Sequence, residues 1–403
     1  MDKSFWRAGH LPTLLSAFLY FDLAFMVWVL LGPLAIHIAR DLGLSPAEKG
    51  LMVATPLLAG ALLRLVMGVL VDHLKPKLAG AIGQLLVMAA LAVAWLLGVH
   101  SFSQVMLLAV FLGVAGASFA AALPLASRWY PPHYQGAAMG IAGAGNSGTA
   151  IAALFAPGLA KLYGWNAVFG LALLPLMVVF LIYMAYAKDS PACPPPKRLS
   201  EYLKVLKERD AWWFMFLYGV TFGGFSGLAS SLTVYFNDQY GLDPVQAGIY
   251  TAVCVFAGSL MRPIGGMVAD RVGGIRSLSV IYLLASICLL LLSLEPPRAW
   301  MALVALVTGM LWLGMGNGAV FQLVPQRFSA ELGVMTGLVG MAGGIGGFCL
   351  AAGLGYSKQL SGGYGPGLSL FAALSLCAWL GLLAVKHRWR NTWGALHIAG
   401  AKV

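Results

Sequence analysis

The sequence predicts an all-α membrane protein with twelve transmembrane helices in two pseudo-symmetric six-helix bundles. Three observations predict it. Of the 403 residues, 60% are hydrophobic and only 10% are charged, against about 25% charged in an ordinary soluble domain. Twelve apolar runs are each long enough to cross a bilayer. Short motifs from the first half return in the second at an offset close to half the chain. The 25 Lys and Arg and 14 Asp and Glu could not cover a soluble globule of this size. A cytosolic enzyme, a disordered chain and a typical nucleic-acid-binding domain are thereby excluded.

A helix needs about 20 apolar residues to cross a hydrocarbon core about 30 Å thick. The first run, 11–39, holds Asp22, the one acid away from the ends of any run, and is too long for a cleaved leader. The second, 47–71, carries Arg64 and ends at Asp72; the third and fourth are 78–98 and 102–126, the latter with Phe119. The fifth, 134–160, is rich in glycine around Asn146, and the sixth is 165–187. A polar segment follows at 188–210, with four prolines and concentrated charge; Leu199, Tyr202, Leu203 and Leu206 give its second half a helical spacing suited to a membrane surface. The seventh run, 211–237, holds Tyr218 and Phe222. The eighth, 244–269, carries Arg262, and the ninth and tenth are 273–294 and 299–323. The eleventh, 332–358, is again glycine-rich, and the twelfth is 366–386. This divides the chain into a bundle at 1–187, a cytoplasmic linker at 188–210 and a second bundle at 211–403.

Net charge is +11, and the placement of the basic residues explains it. With the N-terminus inside, eighteen Lys and Arg fall in cytoplasmic segments and five in outside loops. That bias fixes orientation. Both termini are expected in the cytoplasm, and no nucleic-acid partner is needed to account for the charge. The five cysteines show no metal-ligand spacing; four lie in apolar runs and read as small buried hydrophobes. No metal or cofactor motif appears.

Segment 64–72, RLVMGVLVD, and segment 262–270, RPIGGMVAD, share Arg, then Gly four later, then Asp eight later. Gly140 and Gly143 match Gly337 and Gly340 in the same way. Parallel repeats of this kind build transporters whose substrate site lies near the midplane between the halves. Arg64 and Arg262 each fall about 12 Å into the membrane. An arginine there is costly, and intramembrane charge is functional by default. One reading has each snorkel or bind backbone carbonyls. The other has the pair face across the midplane and clamp an anion, since guanidinium forks onto planar oxyanions.

The glycines of spans five and eleven suit close helix packing, and they leave backbones free to slide or to meet a ligand. Asn146 is either interhelical glue or a donor to the anion. Tyr218 and Phe222 share one helical face; with Phe119 they are either core or pocket wall. Asp72, Asp270 and Arg271 sit at the cytoplasmic mouths of their spans, as gate charges or as ordinary polar caps. Asp22 is the candidate proton-coupling group, or else a hydrogen-bonding partner of a neighbouring helix.

Two sixes of spans, a central loop and Gly-x-x-x-Asp after spans two and eight resemble the major facilitator superfamily. One arginine in each of spans two and eight, with glycine runs in spans five and eleven, resembles its nitrate/nitrite porter family. The run Ala142-Gly143-Ala144-Gly145-Asn146-Ser147-Gly148 matches that family's first signature; the run from Gly340 through Gly343 and Gly344 to Gly347 lacks the Asn of the second. The span one stretch FDLAFMVWVLLGPL also resembles the family. The resemblance implies that Arg64 and Arg262 hold the anion, that Tyr218 and Asn146 hydrogen-bond it, and that Phe119 and Phe222 pack on it. It implies helix shifts at Gly143, Gly145, Gly340, Gly343 and Gly344. The expected protein is a monomeric carrier in the lipid bilayer of the inner membrane. It moves nitrate, and nitrite too, by alternating access, without a cofactor. Uptake by proton symport is the expectation; electroneutral nitrate/nitrite exchange and carriage of another small anion are the alternatives.

Overall fold

A computed structural model of the chain describes residues 3–191, 204–328 and 331–393. Twelve helices are long and apolar enough to cross a membrane. They are α1 (Leu11–Leu42), α2 (Pro46–Leu74), α3 (Pro76–Leu97), α4 (Phe102–Ser127), α5 (Ala138–Tyr163) and α6 (Trp165–Tyr186). Then come α7 (Arg209–Tyr240), α8 (Pro244–Val272), α9 (Gly274–Ser293), α10 (Ala299–Arg327), α11 (Gly333–Ser361) and α12 (Gly365–Asn391). No strand occurs among the described residues. The chain is a multi-pass membrane protein with the expected number and order of spans.

Several helices outrun their apolar cores because polar residues cap them. Ser45 and Glu48 form a reciprocal capping box ahead of α2, which satisfies orphan amide groups of the first turn. Arg388 and Arg390 close the last turn of α12, where cations complement the helix dipole. Leucines such as Leu96, Leu97 and Leu360 point outward and are mostly exposed, as a lipid-facing surface requires. The cysteines correct one expectation: Cys254 is buried, but Cys349 and Cys377 are exposed on the outer faces of their helices. Cys193 lies outside the described residues, as do Lys197, Arg198 and positions Leu199, Tyr202 and Leu203 of the expected surface helix.

Three spans are interrupted near the middle. α1 breaks between Trp28 and Leu31, just before Pro33, which has no amide hydrogen to give. α4 breaks at Ser118. α5 passes through a 3-10 stretch, Ala144–Ser147, whereas α11 is continuous.

The first six spans meet the last six through α2 on α11, α5 on α8 and α1 on α7. At the end away from the chain termini these contacts are tight. A Cβ on Gly50 would sit 2.7 Å from Gly355 Cα, and one on Gly248 would sit 2.9 Å from Pro157 Cγ. Gly32 lies directly on the main chain of Ser230. Lys49 of α2 forms an ion pair with Asp238 of α7 at 2.7 Å, and Tyr364 donates to the same carboxylate at 3.0 Å. At the end shared with the termini the picture reverses. A Cβ on Gly140, Gly333 or Gly337 would meet nothing within 4 Å. Among the described residues, the contacts between halves are tight at one end, and these three glycines at the other end face open space.

Candidate functional site

Arg64 is 2% exposed. Its Nε donates to Gly116 O at 3.1 Å, a carbonyl just before the break in α4. Its Nη1 donates to Gly340 O in α11. Rings surround the guanidinium: Phe119 at 5.1 Å, Phe222 at 5.4 Å and Trp28 at 5.5 Å. Cation–π attraction of this kind strengthens when the charge is desolvated. Trp28 is itself fixed by a 2.7 Å bond from Nε1 to Pro56 O, a carbonyl of α2.

Arg262 reaches the same place from α8. Its guanidinium lies 6.0 Å from that Phe119 ring and 5.8 Å from Phe321. Its Nη2 approaches the Tyr218 hydroxyl at 3.4 Å. Tyr218 and Phe222 stack with centroids 5.2 Å apart and planes 4° from parallel. Phe119 is therefore within reach of both cations, with one arginine contributed by each half of the chain. Neither arginine belongs to an ion pair among the described residues. One nitrogen of each, Arg64 Nη2 and Arg262 Nη1, is buried without a hydrogen-bond partner in the chain.

The glycine runs cross over between halves. Gly143 of α5 faces Arg262, whose Cζ would lie 3.8 Å from an added Cβ; Gly340 of α11 faces Arg64, with Nη1 at 3.4 Å. Each arginine thus abuts the glycine run of the other half, which is the relation expected of a two-fold repeat. Gly145 packs on α1, where a Cβ would sit 2.6 Å from the Phe21 ring. Gly343 packs on Tyr218 and Phe222, and Gly344 on Ala61, with Cβ approaches of 2.8 and 2.7 Å. Asn146, in the 3-10 stretch, is 1% exposed, and neither its Oδ1 nor its Nδ2 has a partner in the chain.

Asp22 is set apart from the arginines. It accepts from Ser147 Oγ at 2.7 Å, one residue from Asn146, and so ties α1 to the 3-10 stretch. Asp72 pairs with Arg128 at 3.7 Å, bridging α2 and the end of α4. Asp270 bonds Gln322 of α10. Arg271 is exposed at the end of α8. A stronger knot at this end escaped the sequence: Asp210 holds Arg327 at 2.9 Å and Trp389 Nε1 at 2.8 Å, and also meets Arg388.

Three further contributors were not singled out from the sequence: Trp28, the Gly116 carbonyl and Phe321. Asn317 is also buried, with its carboxamide unpartnered in the chain. Phe321 stands 202 residues after Phe119, about one helical turn past the repeat offset, so the repeat does not single it out. Asn317 stands out as a carboxamide inside an apolar run.

Twelve crossing helices and an intramembrane arginine from each half, meeting at one ring, define a membrane carrier of the two-times-six type. Residues 16–351 match the model of the Major Facilitator Superfamily. A protein named "Probable nitrate/nitrite transporter NarK2" from Mycobacterium tuberculosis is 36% identical over 366 residues, covering 88% of this chain and 91% of that one. The "Nitrite extrusion protein" of Bacillus subtilis is 30% identical, covering 88% and 89%. "Probable nitrate/nitrite antiporter NarK1" of Thermus thermophilus is 29% identical, covering 94% and 93%. In fold, the chain is similar to a crystal structure of a bacterial homologue of the human lysosomal transporter Spinster in an inward-facing, occupied conformation. That similarity has a TM-score of 0.72 at 19% identity and covers 100% of both chains. The chain belongs to the Major Facilitator Superfamily and, within it, to the nitrate/nitrite porter family.

Proposed function

We propose that the protein carries nitrate, and nitrite with it, across the inner membrane by alternating access, with both termini in the cytoplasm. The observation that carries this reading is the arginine pair: a fully buried guanidinium from Arg64 and a partly buried one from Arg262, both near one Phe119 ring, with no carboxylate on either among the described residues. Uncompensated charge at that depth calls for a counter-ion. The aromatic walls limit the cavity to a small solute, and flat rings match a flat anion. Arg64, Arg262, Tyr218 and Asn146 supply the donors; Phe119 and Phe222 cover the faces. The halves, 1–187 and 211–403, joined by 188–210, rock about this site. With the termini inside, the open end faces the cytoplasm, and Lys49 and Asp238 belong to the closed outer gate.

For the coupling, we place a proton on Asp22. Net uptake of a monovalent anion against an inside-negative potential climbs about 2.3 kcal/mol per 100 mV, and one proton per nitrate removes that cost. Asp22 is bonded to Ser147 in the segment that carries Asn146, so its protonation state acts on the site through one hydrogen bond. A second reading, nitrate/nitrite exchange, is favoured by a different observation. Asp22 is already engaged in the α1–α5 contact, and no acid stands on either arginine. The test is nitrate uptake into proteoliposomes of the full chain, with and without a pH gradient and with internal nitrite, using chlorate and phosphate as competitors. Absence of nitrate movement under every gradient refutes the carrier reading. Counterflow that ignores pH and survives Asp22→Asn establishes exchange instead of symport.

A further inference from the structure

Asn317, on α10, is 1% exposed, and neither Oδ1 nor Nδ2 of its carboxamide finds a hydrogen-bond partner in the chain. Its neighbours place it. Gly318 on one flank lies on the main chain of the Arg262 turn: an added Cβ would touch the Arg262 carbonyl and sit 2.6 Å from Gly266 N. Gly316 on the other flank faces α7, with Thr221 Cβ at 3.2 Å. Residues four apart share a helix face. One turn further on that face is Phe321, whose ring lies 5.8 Å from the Arg262 guanidinium and 4.9 Å from the Tyr218 ring. Asn317 therefore stands between α7 and α8, about 6 Å along α10 from Phe321, on the closed side of the arginine pair.

Buried polar groups are almost always paired. A carboxamide brings two N–H donors and an acceptor oxygen, and leaving them unmet in a dry core is unfavourable. Asn146 presents the same unmet carboxamide from α5 of the first half. Two buried amides, one in each half and both on segments packed against the Arg262 helix α8, fit one occupant: an oxyanion with several acceptor oxygens. We propose that Asn317 is a further substrate-binding residue, whose Nδ2 donates to an oxygen of the anion held between Arg64 and Arg262. The proposal rests on the nitrate reading above and adds a contact from the second half that matches Asn146.

The experiment uses the purified full-length chain, as wild type, Asn317→Leu and Asn317→Ser. It measures the nitrate-dependent rise in Tm and the KM for nitrate counterflow in proteoliposomes. Leucine has the same branching and the same number of side-chain heavy atoms. Replacing an unmet buried amide by it leaves stability without nitrate unchanged or raised. A hydrogen bond to a charged ligand is worth about tenfold or more in affinity. We therefore expect the nitrate KM of Asn317→Leu to rise by about that factor, with a smaller nitrate-induced shift in Tm. Should the leucine variant fail to fold, the serine variant is read in the same way. A folded variant with wild-type KM and wild-type nitrate shift overturns the proposal, as does a lowered Tm without nitrate at unchanged KM. A wild type that neither moves nitrate nor is stabilised by it overturns the parent reading as well, so the two failures are told apart.

Discussion

Arg64 of α2 donates through Nη1 to the main-chain oxygen of Gly340 in α11. A cation from the first half of the chain is thus held by the backbone of the second, at the level of the site itself. Any motion that separates α2 from α11 there also frees a guanidinium N–H. In the proposed mechanism, binding and interface geometry share one bond.

This makes the side chain's shape matter as much as its charge. In Arg64→Lys a single ammonium cannot serve Gly116 O, Gly340 O and an anion together. Removing one partner of a buried charged hydrogen bond costs about 2–5 kcal/mol. Nitrate affinity should therefore fall by about a hundredfold in Arg64→Lys, and by a similar factor in Arg262→Lys. Counterflow measured on folded protein checks this; near-wild-type KM values would remove the arginine clamp from the mechanism.

The glycines divide into two groups with opposite expectations. Gly145 is pressed on Phe21 and Asp22, where a Cβ would come within 2.6 and 2.9 Å. Gly145→Ala should lower stability by about 1–3 kcal/mol through overpacking. Gly140 and Gly337 face open space. Gly140→Leu and Gly337→Leu should keep Tm within about 2–4 °C of wild type, yet block transport by preventing that end from closing. Normal turnover in both leucine variants would show that this end does not close as part of the cycle.

At the other end, Lys49 and Asp238 are only 15% and 17% exposed in their side chains, and the Tyr364 hydroxyl adds a third member. Exposed ion pairs contribute about 0–1 kcal/mol, and this one should reach the top of that range. A double-mutant cycle with Lys49→Ala and Asp238→Ala should give a coupling of about 1 kcal/mol. Either single variant should raise the labelling of cysteines introduced on this side of the site. A coupling indistinguishable from zero, with unchanged labelling, would mean that helix packing alone seals the gate.

His10, just ahead of α1, shares a 2.7 Å hydrogen bond with Thr13 Oγ1 and accepts from Thr13 N at 3.3 Å. Burial, and then the nearby Lys188, hold its pKa below the ordinary value of 6.5. A base with a lowered folded pKa binds protons more readily unfolded, so stability falls with falling pH. The contribution is complete above pH 6.5 and is lost as pH drops from there through the lower folded value. His10→Asn keeps a capping oxygen and should flatten this part of the Tm-against-pH curve. An identical curve in the variant would assign the slope to other groups.

Much of this was readable in the chain. Span number, span order and the depth of Arg64 and Arg262 follow from hydrophobic length and from a repeat of three residues. Residues that act through backbone were not readable: the Gly116 carbonyl is available beside a break at Ser118 that no side chain announces. Trp28 and Phe321 were hidden by abundance, since a bundle rich in aromatic residues gives no reason to single out two. Cys349 and Cys377 were misread because an apolar residue in a span looks the same whether it faces protein or lipid. The helix ends moved by a few residues where caps such as Ser45 and Glu48 carried them past the apolar run.

The 3-10 stretch at Ala144–Ser147 has a mechanical consequence. Such a coil rises about 2.0 Å and turns about 120° per residue, against about 1.5 Å and 100° in an α-helix. Rewinding its four residues would shorten α5 by about 2 Å and swing everything beyond by about 80°. The unbroken α11 has no matching adjustment. A change of length and twist of this kind is open to α5 and not to α11, so the two halves are not mechanically equivalent.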